Sequence, residues 1–237
     1  MNTARDRHGQ AGTQTSAIVM GGQPPGTGIT TTETYNGTSW TSGGSLNTTR
    51  SVLAGAGPNT ASIAFGGGTP TITGATELYN GTSWTTSTSM TTGRSYLGSA
   101  GTQPAGLAFA GFTGTTRTNA TEEFTNNALV VPVAGSWSSG GNMNTTRAYL
   151  GSVGLQTASL GFGGYLQPFT PSTATESYNG SSWTSVTSMS TARGYGAGCG
   201  TQTAALGSGG QTPTTVANTE EFTGEIATAT SKTLTTS

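Results

Sequence analysis

The stretch A-T-E-L-Y-N-G-T-S-W at residues 75–84 decides the fold, because it returns. It reads T-E-T-Y-N-G-T-S-W at 32–40 and T-E-S-Y-N-G-S-S-W at 175–183, and it shrinks to T-E-E-F at 121–124 and 219–222. Five copies in one chain mark a repeat architecture, in which each unit buries its apolar face against its neighbours. A second landmark precedes each copy. M-N-T-A-R, L-N-T-T-R, M-T-T-G-R, M-N-T-T-R and M-S-T-A-R end at Arg5, Arg50, Arg94, Arg147 and Arg193, spaced by 45, 44, 53 and 46 residues. Each arginine leads into a small-residue segment such as 51–57 or 148–154. A turn follows, then a second segment closed by glycines, at 16–22, 61–67, 106–111, 159–164 and 204–210. Ile63 and Phe65 fall on one side of such a segment, as do Ile18 and Met20, which is the two-residue period of a strand.

Asn36-Gly37, Asn80-Gly81 and Asn179-Gly180 are the dipeptides of two-residue hairpin turns, where both central residues need φ > 0. Four short antiparallel strands per repeat, five times over, describe an all-β, five-bladed β-propeller with each blade drawn from one continuous repeat. The blades span about residues 1–45, 46–89, 90–142, 143–188 and 189–237, so that 1–237 forms one domain. Residue 1 begins a first strand and 226–236 can supply a fourth. Closure is therefore expected from face packing of blades one and five without strand exchange, with Met1 beside Ser237.

Composition narrows the classes of function. Charged residues are 7% and net charge is −1, while aromatics make up 8% and are placed periodically, unlike a disordered chain. With Lys232 as the one lysine, there is no basic cluster to displace counterions from nucleic acid. No apolar run reaches the roughly 18 residues of a membrane-spanning helix, and the N-terminus lacks the charged-then-apolar pattern of a secretory signal. Cys199 alone excludes an intrachain disulfide framework and a cysteine zinc site.

Five of the eight basic residues are the repeat arginines, and five of the nine acidic ones are Glu33, Glu77, Glu122, Glu176 and Glu220. So little charge, placed so periodically, predicts Arg–Glu pairs by bidentate hydrogen bonds inside or between blades. A ring of carboxylates binding cations is the alternative. Trp40, Trp84, Trp137 and Trp183 are expected to pack one blade on the next, each burying roughly 150–250 Å², with sugar stacking as the alternative. The Asn-x-Ser/Thr patterns at Asn36, Asn80 and Asn179 are explained by the turns.

Paired glycines closing the second strand, Glu and an aromatic on the third, Trp opening the fourth and Arg before the next blade resemble the kelch-type β-propeller. The resemblance runs from Met1 to Phe222. It departs where the repeats are shorter than the family's roughly 50 residues, where the fifth lacks Trp, and where Ala110 replaces a glycine. The Thr/Gly/Asn-rich texture is similar to kelch-like proteins of phage and marine viral sequences.

The inventory speaks against catalysis. His8 is the sole histidine, which removes the copper site of galactose-oxidase-like kelch enzymes, and it is read as structural. Asp6 is the sole aspartate, so the repeated Asp turns of sialidases and calcium-binding propellers are missing. Cys199 reads as a small buried thiol. No metal, cofactor or catalytic residue is assigned.

Function is expected where the repeats differ. The loops after the glycines, at 23–30, 69–74, 112–119, 165–172 and 211–216, should gather on one face. Phe112, Arg117, Tyr165 and Phe169 lie outside the repeat pattern and form one candidate contact surface. The insertion at 126–135, with Leu129, Val130, Val131 and Val133, forms another, either packing on a blade or docking a partner. The expected role is a non-enzymatic structural or interaction module of a virion surface or tail fibre. It would lie on a virion or outside the cell, meeting a virion or surface protein, with an oligomer open to it. The alternative is a carbohydrate-binding, lectin-like propeller whose partner is a glycan; neither reading involves nucleic acid or membrane insertion.

Overall fold

The computed structural model describes residues 1–24, 27–68, 70–126 and 135–224. The chain is a five-bladed all-β propeller. Four blades are four-stranded antiparallel sheets with strands in chain order. The second, built from Ala54–Ala56, Ile63–Phe65, Thr76–Tyr79 and Trp84–Ser87, is representative. The fifth shows three strands among the described residues, Ala197–Gly200, Ala204–Ser208 and Thr219–Thr223. Its expected fourth strand at 226–236, and Ser237 beside Met1, lie outside the described residues.

The first strands, made of Gly, Ala and Ser, stand around a central channel of about 1210 Å³. The second strands carry the core, with Ile18, Ile63, Leu107 and Leu160 each fully buried. Their closing glycines link the blades. Gly66 and Gly67 hold φ of 68° and 83°, and the Gly67 amide donates to the Arg94 carbonyl of the next blade at 2.8 Å. A Cβ on Gly66 would stand 2.6 Å from the same oxygen, so glycine is needed for both conformation and space. In the third blade Ala110 takes this place at φ 56°, a left-handed alanine.

The Asn-Gly turns differ from the expected two-residue type. Gly81 has φ 91° while Asn80 is not left-handed, and the loop runs through four residues, 80–83, between Tyr79 and Trp84. The reason is the asparagine side chain: Asn80 Oδ1 accepts the amides of Thr82 at 3.0 Å and Ser83 at 2.9 Å, closing the loop from within.

Each repeat arginine pairs with the glutamate of its own blade, at 2.8 Å for Arg50–Glu77, 2.7 Å for Arg94–Glu122 and 3.0 Å for Arg147–Glu176. Arg5 pairs likewise with Glu33, and Arg193 with Glu220. The contact is not the bidentate fork expected. Arg50 Nη2 donates to Glu77 Oε1, while Nη1 donates to the carbonyls of Gly66 at 3.1 Å and Ala75 at 2.6 Å. The Asn47 amide then donates to Glu77 Oε2 at 2.6 Å. The guanidinium thus pins three backbone segments at once, which a closed fork could not do.

Trp84, Trp137 and Trp183 wedge between blades. Each indole Nε1 donates to a threonine Oγ1 of the preceding blade, Thr32 at 3.0 Å, Thr76 at 3.1 Å and Thr121 at 3.0 Å. Side-chain amides add a clamp: Gln103 Nε2 donates to the carbonyls of Ser62 and Tyr79, and Gln156 to those of Gly106 and Phe124. Gln202 reaches the fourth blade in the same way. Blade one carries the equivalent Trp40 and Gln14, yet Trp40 is half-buried and Gln14 exposed, as is Thr219 across from them in blade five. Among the described residues, the clasp expected to close blade five on blade one is not made.

Candidate functional site at the channel mouth

The residue two places after each repeat arginine is left-handed: Arg7, Val52, Tyr96, Tyr149 and Tyr195, with φ between 50° and 61°. This bend lets each amide reach the same position of the preceding blade. Val52 N donates to Arg7 O at 2.6 Å, Tyr96 to Val52 at 3.1 Å, Tyr149 to Tyr96 at 2.9 Å and Tyr195 to Tyr149 at 2.8 Å. The relay runs from blade one to blade five around one mouth of the channel and gathers three tyrosines there. Each such residue carries a backbone cost of about 1–2 kcal/mol that glycine would avoid, and a bulky side chain held in strain points to a function for that side chain.

The rings form one cluster. Tyr149 lies 4.1 Å from Tyr96 and 4.7 Å from Tyr195, centroid to centroid. Tyr165 and Phe169 join it from the fourth-blade hairpin of Tyr165–Leu166 and Thr170–Pro171, with Phe169 5.8 Å from Tyr149 and 5.2 Å from Tyr165. Phe169 is 58% and Tyr195 50% exposed, so both present a face to solvent. Tyr165 is buried and donates its hydroxyl to Gln211 O at 3.0 Å, which fixes the hairpin.

Arg117 completes the cluster. Its guanidinium carbon sits 4.6 Å from the Phe169 ring centre and 5.9 Å from that of Tyr149. The side chain is buried, its Nε has no hydrogen-bond partner, and among the described residues it meets no carboxylate. The phenols of Tyr149, Tyr165 and Tyr195 stay protonated. Burial, reinforced by Tyr149, Tyr96 and Tyr165, pushes Tyr195 up to about 12. Burial likewise raises Tyr149, with Arg117 opposing the shift. At neutral pH the mouth therefore offers aromatic faces, neutral hydroxyls and two guanidinium groups, the buried Arg117 and the exposed Arg7.

Of the loop residues singled out by sequence, Arg117, Tyr165 and Phe169 meet here. Phe112 pairs with Arg117 through a backbone bridge, and its side chain is half-buried. Leu129, Val130, Val131 and Val133 lie outside the described residues. Sequence reasoning missed Tyr96, Tyr149 and Tyr195. The signal was R-S-Y, R-A-Y and R-G-Y, an aromatic two places past the repeat arginine in three blades.

Cys199 is exposed instead of buried, because the first strand of blade five packs on blade four but leaves its outer flank uncovered. His8 precedes the first strand on the channel wall, half-buried, and burial holds its pKa below the usual value. Among the described residues no three His, Cys, Asp or Glu side chains gather as metal ligands, and no helix is long and apolar enough to cross a membrane.

No known protein family and no curated protein matches the sequence. The fold matches 175 chains of solved structures, so shape alone does not select a function. Among them the structure of YjhT superposes with a TM-score of 0.75 over 91% of this chain and 80% of that one, at 13% identity, which shows the fold alone. This match overturns the kelch-like phage resemblance, and the virion or tail-fibre role and the virion-protein partner fall with it. The exclusion of an enzyme is corrected as well. It rested on counts of His and Asp, which speak only to mechanisms needing those residues and not to a mouth built from phenols and a guanidinium.

Proposed function

We propose that this propeller binds carbohydrate at the aromatic mouth of its channel. The observation that carries the reading is the meeting of five aromatic rings, three of them on residues held left-handed, with one buried guanidinium that meets no carboxylate among the described residues. The exposed faces of Phe169 and Tyr195 offer flat apolar surface to the C–H face of a sugar ring, while phenols and the Arg117 N–H groups offer donors to its oxygens. The near-neutral surface suits a ligand recognised by stacking and hydrogen bonds instead of by charge.

A glycan array on the purified chain, followed by calorimetry on the strongest ligand, tests this. Tyr195→Ala and Phe169→Ala should each weaken binding by about tenfold, roughly 1.4 kcal/mol, with melting temperature unchanged. An array without a hit, or a ligand that binds both variants as it binds the native chain, removes the reading. NMR of the ligand before and after incubation distinguishes a sugar that is only bound from one that is chemically altered.

A further inference from the structure

At the interface of blades four and five lies a second cavity, of about 290 Å³, with Leu160, Phe162, Met189 and Phe222 on its apolar side and Thr175, Glu220 and Glu221 among its polar wall residues. Its shape is explained by the two interfaces before it. Trp183 stacks at 5.0 Å on Tyr178 of its own blade, meets Phe109 of the preceding blade at 4.6 Å, and donates to Thr121 Oγ1. Trp137 does the same with Phe124 at 5.2 Å, Phe65 at 5.2 Å and Thr76. The matching set at the last interface is Phe222, Phe162 and Thr175, all three on the cavity wall. Thr175 is as buried as its counterparts, at 3% against 1% for Thr32 and 0% for Thr76.

What differs is the sequence. The residue five past Phe222 is Ala227, where Tyr79 and Tyr178 are followed at that distance by tryptophan, and residues 223–237 contain no aromatic side chain. The chain thus builds two aromatic walls and a buried acceptor for an indole that it does not encode. A cavity with two aromatic walls and a few polar groups suits a small aromatic molecule that carries a donor, and its volume lies close to the lower bound of the roughly 300–1,000 Å³ range of ligand sites.

We propose that this socket binds a small indole, with the ring N–H donating to Thr175 Oγ1 and the bicycle seated between Phe162 and Phe222. The ligand is defined by the two internal copies of the site at Trp137 and Trp183, and it is separate from the carbohydrate mouth. The test is ligand-observed NMR with thermal shift on the full chain, using indole and benzofuran, which has the same shape but an oxygen in place of the N–H. Indole should bind saturably, and benzofuran about tenfold more weakly, because it leaves the threonine acceptor unmet. Thr175→Val should abolish that preference while leaving benzofuran binding as it was, with circular dichroism reporting its fold. The comparison of the two ligands on the native chain needs no variant. Equal binding of the two, or no saturable binding of indole, overturns the proposal.

Discussion

Arg50 and Arg117 are both buried, and they sit in opposite settings. Arg50 has Glu77 at 2.8 Å and two carbonyls on its guanidinium, and the arrangement recurs in every blade. Arg117 occurs once, rests on aromatic rings and meets no carboxylate among the described residues. A charge that is matched and repeated holds the disc together. A charge that is desolvated, unmatched and unique is left available to a ligand. The blade interior and the channel mouth should therefore respond to mutation in opposite ways.

The largest effect is expected from Glu77→Ala, which strands Arg50 in the core and should cost about 3–5 kcal/mol in denaturant unfolding. Arg117→Met, by contrast, leaves no carboxylate unpaired, and should shift stability by less than about 1 kcal/mol while weakening glycan binding. Equal destabilisation by the two would erase the distinction. Next come the wedges. Trp183→Ala should cost about 3–5 kcal/mol, whereas Trp40→Ala, at a half-buried site without the threonine contact, should cost no more than about 1–2 kcal/mol. Equal losses would show that blade one is clasped in solution as the middle blades are.

Acid should act on the frame before the mouth. Burial alone would raise the carboxyl of Glu33, but the amides of Asn2 and Thr3 and the Arg5 guanidinium outweigh it and hold the pKa below the ordinary 4.5. Glu220 is lowered in the same manner, against burial, by the Ser190 hydroxyl and amide, the Thr191 amide and Arg193. A depressed carboxylate contributes stability that is complete above its unfolded value and is lost as pH falls through the folded one. Unfolding free energy should thus be flat near neutrality and decline below about pH 4.5, and in Glu33→Gln that decline should be shallower. The smallest effect is a gain: Ala110→Gly releases a left-handed alanine and should stabilise by about 0.5–1 kcal/mol, since relief of strain exceeds the added freedom of the unfolded chain.

The five-bladed plan was legible because the repeat is written in residues with fixed structural meanings. Glycine pairs, alternating Ile and Phe, and Trp at the start of a strand admit few other arrangements. The inner detail was not. Asn80 reads as the first residue of a two-residue turn because its dipeptide is the same, whereas in the fold its side chain closes a four-residue loop. Tyr96, Tyr149 and Tyr195 were hidden inside what read as small-residue strands, since nothing in the sequence announces a left-handed bend at a tyrosine. Arg117, Tyr165 and Phe169 stood out as exceptions to the repeat, but their meeting depends on loops from different blades. The exposure of Cys199 follows from the uncovered flank of blade five, a property of the ring and not of the local sequence.

The Arg–Glu layer also governs how fast anything can arrive. With most of its few charges neutralised in the interior, the molecule projects almost no long-range field into solvent. A ligand then reaches the mouth by undirected diffusion, so its association rate should hold nearly constant as ionic strength rises. Selectivity in such a molecule resides in dwell time: ligands of either charge arrive alike and differ in how slowly they leave.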